Sequence, residues 1–157
     1  MKPLIAFALL AWLPLATHAR AATPEATSPP TVAEPELARQ LGADERGMRQ
    51  YVLVILKTGP SRVPDGPART AMFQGHFANI QRLAEAGQLA VAGPFADSSA
   101  GWRGLFVLAV PTVEHARALV ATDPVIAQGE MVAEYHSLYA SAALMAVNAT
   151  HQRIAPQ

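Results

Sequence analysis

The stretch Tyr51-Val52-Leu53-Val54-Ile55-Leu56-Lys57 constrains this chain more than any other. It is apolar through six positions, and three of them are β-branched. It is too short for a core helix and lacks the two-residue alternation of a strand wetted on one side. It predicts a strand buried on both faces, in the middle of a sheet. A chain built around such a strand must cover both sides of it.

The segments that follow supply the cover. Gly59 to Pro67 holds three prolines and two glycines and reads as a loop. Ala68 to Ala86 has helical periodicity, with Phe73, Phe77, Ile80 and Ala84 as one apolar stripe, and Gly87 stops it. Leu89 to Ala92 is a short strand ended by Gly93-Pro94, and Phe95 to Gly101 is a turn. Leu105 to Val110 is a second strong strand that starts near Trp102. Thr112 suits the N-cap of a helix that runs through Ala121. Thr122-Asp123-Pro124 breaks this helix, a turn leads to Gly129, and Met131 to Tyr139 is the last strand.

The order is strand, helix, strand, strand, helix, strand. This is the α+β, ferredoxin-like βαββαβ arrangement, a four-stranded antiparallel sheet with both helices on one face. The other face would stay bare. A second copy of the chain is its simplest cover, so a homodimer is expected.

With 157 residues, the chain suits one domain. Met1-Lys2, the apolar run Leu4 to Ala16 and Ala19-Arg20-Ala21 together read as a cleaved signal peptide over 1–21. The apolar run is shorter than the ~20 residues of a membrane span. The chain has no cysteine, hence no lipid-anchoring cysteine, disulfide, zinc thiolate or thiol nucleophile. A periplasmic or secreted location is therefore expected, with no stable membrane anchor after cleavage. Residues 22–48 read as a linker rich in proline and alanine with a short helix over 37–48, residues 49–145 as the domain, and 146–157 as a flexible tail. Formal net charge is zero, and cleavage would remove Lys2 and Arg20, leaving ten basic residues against twelve acidic ones. No basic face points to nucleic acid.

Four pieces, in this order and spacing, resemble the YCII-related family of the dimeric α/β-barrel group. They are the strand Tyr51–Lys57, the helix segment from His76 to Gly87, the strand end at Gly93-Pro94, and Thr122-Asp123-Pro124 followed by Gly129 and a strand. The resemblance spans roughly Gln50 to Tyr139. It implies a cavity between sheet and helices, with a histidine from the first helix and an aspartate ahead of the last strand. Those positions are His76 and Asp123.

Imidazole is the side chain whose charge ordinarily changes near neutral pH, so His76 suits general acid–base work. Asp123 would orient the ring and stabilise the imidazolium, and it also suits the N-cap of the turn at Pro124. Gly93, Pro94, Asp97 and His136 are candidate substrate contacts. Gly93 would allow close backbone approach or mark a bulge. In the last strand Glu134 and His136 share one face, and Tyr135, Ser137 and Tyr139 take the other.

His76, Asp123 and His136 have the composition of a two-histidine, one-carboxylate metal site, but no ligand spacing supports one. There is no glycine-rich phosphate loop and no G-x-S-x-G elbow. No cofactor is expected. The reading that follows is a small-molecule lyase, isomerase or dehalogenase-like enzyme. The alternative is a non-catalytic ligand-binding or accessory dimeric module.

Overall fold

The computed structural model describes residues 34–97 and 100–155. The segment read as a signal peptide and most of that read as a linker lie outside the described residues. A short helix, α1 (Pro35–Leu41), precedes the domain, and Gly42 closes it in the left-handed conformation. The core elements follow as β1 (Met48–Thr58), α2 (Pro67–Glu85), β2 (Leu89–Pro94), β3 (Trp102–Leu108), α3 (Val113–Val120), a one-turn α4 (Pro124–Ala127) and β4 (Met131–Ser141). The sheet is antiparallel in the order β2-β3-β1-β4, so the apolar run of β1 does lie inside the sheet.

The two faces of β1 serve different clusters, because side chains alternate along a strand. Val52, Val54 and Leu56 join Phe106 and Leu108 of β3 against Met72 and Leu83 of α2, Ala116 and Val120 of α3, and Val125 of α4. Tyr51 and Leu53 join Val107 on the reverse face. Full burial of a side chain such as Phe106 or Leu83 contributes about 1.5–3 kcal/mol.

Two readings of the sequence need correction. The buried stripe of α2 is Met72, His76, Asn79 and Leu83, while Phe77 is 63% exposed. Hydropathy places the stripe one residue away, about 100° around the helix, because it counts His76 and Asn79 as polar. Both are buried because both find polar partners.

The residues from 146 onward, read as a flexible tail, carry the helix α5 (Val147–Ile154), preceded by a 3-10 segment, Ala142–Ala146. Leu144 and Met145 pack on the reverse face with Tyr51, and Asn148 Nδ2 donates to Leu89 O at 2.7 Å. Part of the face expected to be bare is thus covered by the chain's own C-terminal segment.

Candidate functional site

His76 is the middle of the buried stripe of α2. Its helix can approach α4 closely because residue 75 is glycine: a Cβ there would sit 2.9 Å from Pro124 Cγ. Asp123 is the N-cap of α4, where its side chain accepts from Val125 N at 3.1 Å. The same carboxylate reaches back to α2. His76 Nδ1 lies 2.8 Å from Asp123 Oδ2 and 3.0 Å from Oδ1, and Asn79 Nδ2 donates to Oδ2 at 3.2 Å. Asp123 has no exposed surface, and His76 is 7% exposed. The capping role and the contact with histidine therefore coexist in one side chain.

A second tier holds the first. Arg82 Nη2 donates to Asn79 Oδ1 at 2.7 Å, which turns the amide so that Nδ2 faces Asp123. Thr122 Oγ1 donates to Leu119 O at 2.7 Å and sits 3.3 Å from Arg82 Nη2. A carboxylate oxygen facing Nδ1 accepts from it, so the neutral form of the ring that suits this pair carries its proton on Nδ1 and its lone pair on Nε2. No described residue bonds Nε2, and among the described residues no buried side-chain polar atom lacks a partner. The ring itself lines the space beyond it.

That space is a cavity of about 400 Å³ between α2 and the sheet. Leu56, Phe73, Phe77, Ile80, Phe106 and Met131 supply its apolar walls, and Gly93 and Pro94 lie along one side. His76 and Arg103 are the two lining residues with polar side chains. The imidazole stacks over Phe106 at 6.0 Å between centroids and meets Phe73 edge-on at 6.2 Å. A volume of this size takes a compact organic molecule.

Of the other residues singled out from sequence, Gly93 and Pro94 line the cavity, while Asp97 and His136 do not. Asp97 is exposed on the loop after β2. His136 is exposed on β4, opposite Leu53 of the reverse face, and its Nε2 lies 3.0 Å from Glu134 Oε1. It cannot join His76 and Asp123 around one ion, since the sheet separates them. Nor does Gly93 serve close packing, because a Cβ there would meet no atom within 4 Å. The tight approach is at Gly104, whose Cβ would lie 2.8 Å from Gly93 O.

Residues missed from sequence include Asn79, Arg82, Arg69, Glu130 and Arg103. Asn79 had a readable signal, since it lies three residues after His76 on the same helix face. Glu130 had none. It is 2% exposed and takes a bidentate Arg69, with both bonds at 2.8 Å, together with Val63 N at 2.8 Å. These bonds, the guanidinium of Arg69 foremost, hold its carboxyl below the usual carboxylate range.

A group whose folded pKa is depressed contributes stability above its unfolded pKa, and that stability fades as pH falls through the folded value. Unfolding midpoints in urea should therefore drop more steeply below about pH 4.3 in the wild type than in Glu130→Gln. Parallel curves would refute this.

The class of protein is thereby set: an α+β, ferredoxin-like domain with a buried His–Asp pair behind a cavity sized for a small molecule. Residues 50–137 match the model of the YCII-related domain, and the chain belongs to that family. A comparison with curated proteins finds no match.

Proposed function

We propose that this chain is an exported small-molecule enzyme in which His76 moves a proton and Asp123 holds the ring. The observation that carries the reading is the pairing of His76 Nδ1 with a carboxylate of no exposed surface, in a ring that also lines an apolar cavity. A base in such a pocket removes a proton from carbon next to a carbonyl, or from a phenol. Nε2 takes the proton, and the imidazolium rests between Asp123 and the substrate. The proton then returns to another carbon in an isomerisation, or a leaving group departs in an elimination. The substrate is a compact, cyclic or aromatic compound, in keeping with Phe73, Phe77 and Phe106 in the lining.

The test works without the natural substrate in hand. The full chain is incubated in heavy water with a panel of cyclic ketones and phenols, and loss of C–H signals is followed by NMR. Exchange accelerated by about 10²-fold or more, and lost in His76→Gln, is expected. If no compound exchanges while some shift the His76 resonances, the cavity is that of a non-catalytic ligand-binding module.

Export rests on the positive start, apolar run and A-x-A-like site of residues 1–21. An N-terminus beginning near residue 22 in the envelope or medium is its check. The homodimer rests on Leu53, Val91 and Leu105, partly buried apolar side chains of the reverse sheet face. Sedimentation of a single-chain mass would remove it.

A further inference from the structure

We infer that Arg103 makes this cavity selective for an anionic ligand, a small aromatic or alicyclic carboxylate or its enolate equivalent. The inference deepens the reading of His76 as the proton-moving group, and it rests on that cavity.

Its first support is where the side chain goes. Along β3, Phe106 and Gly104 face the helices, and simple alternation would send Arg103 to the reverse face with Leu105. The pairing with β1 breaks there: Leu56 pairs with Gly104 and Lys57 with Trp102, so Arg103 has no partner on β1. A bulge of this kind re-aims one side chain, and here the re-aimed one lines the cavity.

The second support is that the guanidinium, although within ion-pair distance of Glu130, is hydrogen-bonded to no described residue. Its side chain is 28% exposed. Its nearest anion is Glu130, with Nη1 3.9 Å from Oε1. That is beyond hydrogen-bond range, and both oxygens of Glu130 are already taken by Arg69. Arg69 thus takes the hydrogen bonds of Glu130, Arg103 adds only a longer charge contact, and its N–H donors stand at an apolar wall without a partner among the described residues. Such a fork fits a planar carboxylate in two parallel bonds. Arg103 and His76 are the two polar side chains of the lining, so a ligand held by its carboxylate at the arginine presents its ring to the aromatic walls.

Benzoate and its neutral analogue benzamide are the probes, titrated into the full chain and followed by NMR shifts of His76 and Phe106. Benzoate should bind at least about tenfold more tightly than benzamide, an interval set by one charge-assisted contact. Arg103→Met should erase that preference while leaving benzamide unchanged, and Arg103→Lys should keep part of it. Equal affinities in the wild type, a preference that survives in Arg103→Met, or no benzoate shift up to roughly 10 mM would each overturn the proposal. Binding is read without turnover. Carboxylate preference with no proton exchange therefore sinks the catalytic reading alone, and exchange without preference sinks this one alone.

Discussion

Asp123→Asn should leave the fold standing and remove most of the proposed proton transfer. Asparagine caps a helix as well as aspartate does, so its Oδ1 remains with Val125 N. The amide nitrogen then occupies the place of Oδ2, facing His76 Nδ1 and Asn79 Nδ2. A donor now takes the place of Oδ2, the nearer acceptor of the ring at 2.8 Å, while Oδ1, 3.0 Å from Nδ1, stays engaged as the cap of Val125 N. Imidazole answers by placing its lone pair on Nδ1 and its proton on Nε2, so Nε2 can no longer accept. Inverting a tautomer in a comparable His–Asp pair costs about 10⁴-fold in rate, and a loss of about 10³–10⁴-fold is expected here.

Stability should fall by about 1–3 kcal/mol, since Asn79 Nδ2 loses its acceptor. Long-range nitrogen-15 shifts of His76 report the tautomer directly and need no substrate. An Nε2 that keeps its lone pair in the variant would sink this account. Asp123→Ala is the contrast. It removes the cap and strands the buried donors of His76 and Asn79, for a loss of about 3–5 kcal/mol.

Gly59→Ala should be the most destabilising of the small substitutions. A Cβ at residue 59 would lie 2.1 Å from Gly129 O and 2.8 Å from Glu130 C, both backbone atoms that cannot rotate aside. The two segments must separate. With them go the bonds from Gly59 N to Glu130 O and from Ser61 N to Gly129 O, at 2.8 and 3.1 Å. The loop that brings Val63 N to Glu130 is displaced as well. Overpacking of this kind costs about 3 kcal/mol or more. Chemical unfolding measures the loss, and Gly93→Ala is the control, since its Cβ meets nothing within 4 Å. Equal stabilities for the two variants would show that the contact at Gly59 relaxes cheaply.

These substitutions mark where sequence reading succeeds and where it stops. The apolar run of β1, the Thr112 cap and the Asp-Pro break after α3 are local signals, and each is matched by an element or cap at that place. The capping bond that His115 N donates to Thr112 Oγ1 is an instance, formed within four residues. The stripe of α2 misleads because burial of His76 and Asn79 depends on a partner more than 40 residues away, which hydropathy cannot register.

Family resemblance, not spacing, pairs His76 with Asp123 in the sequence. Asp97 and His136 enter by residue type alone, and the strand geometry carries them elsewhere. Arg103 escapes a sequence reading because a one-residue irregularity in pairing, invisible along the chain, sets its direction.

By itself, then, the sequence determined the element order, the central strand, the caps and hence the ferredoxin-like topology, since these follow from periodicity and backbone preference over a few residues. Only the tertiary structure decided that His76 and Asp123 touch, that Glu130 is spent on Arg69, and that Arg103 faces the cavity. Those facts depend on which distant polar groups satisfy one another when water is excluded, and that matching exists only once the helices lie on the sheet.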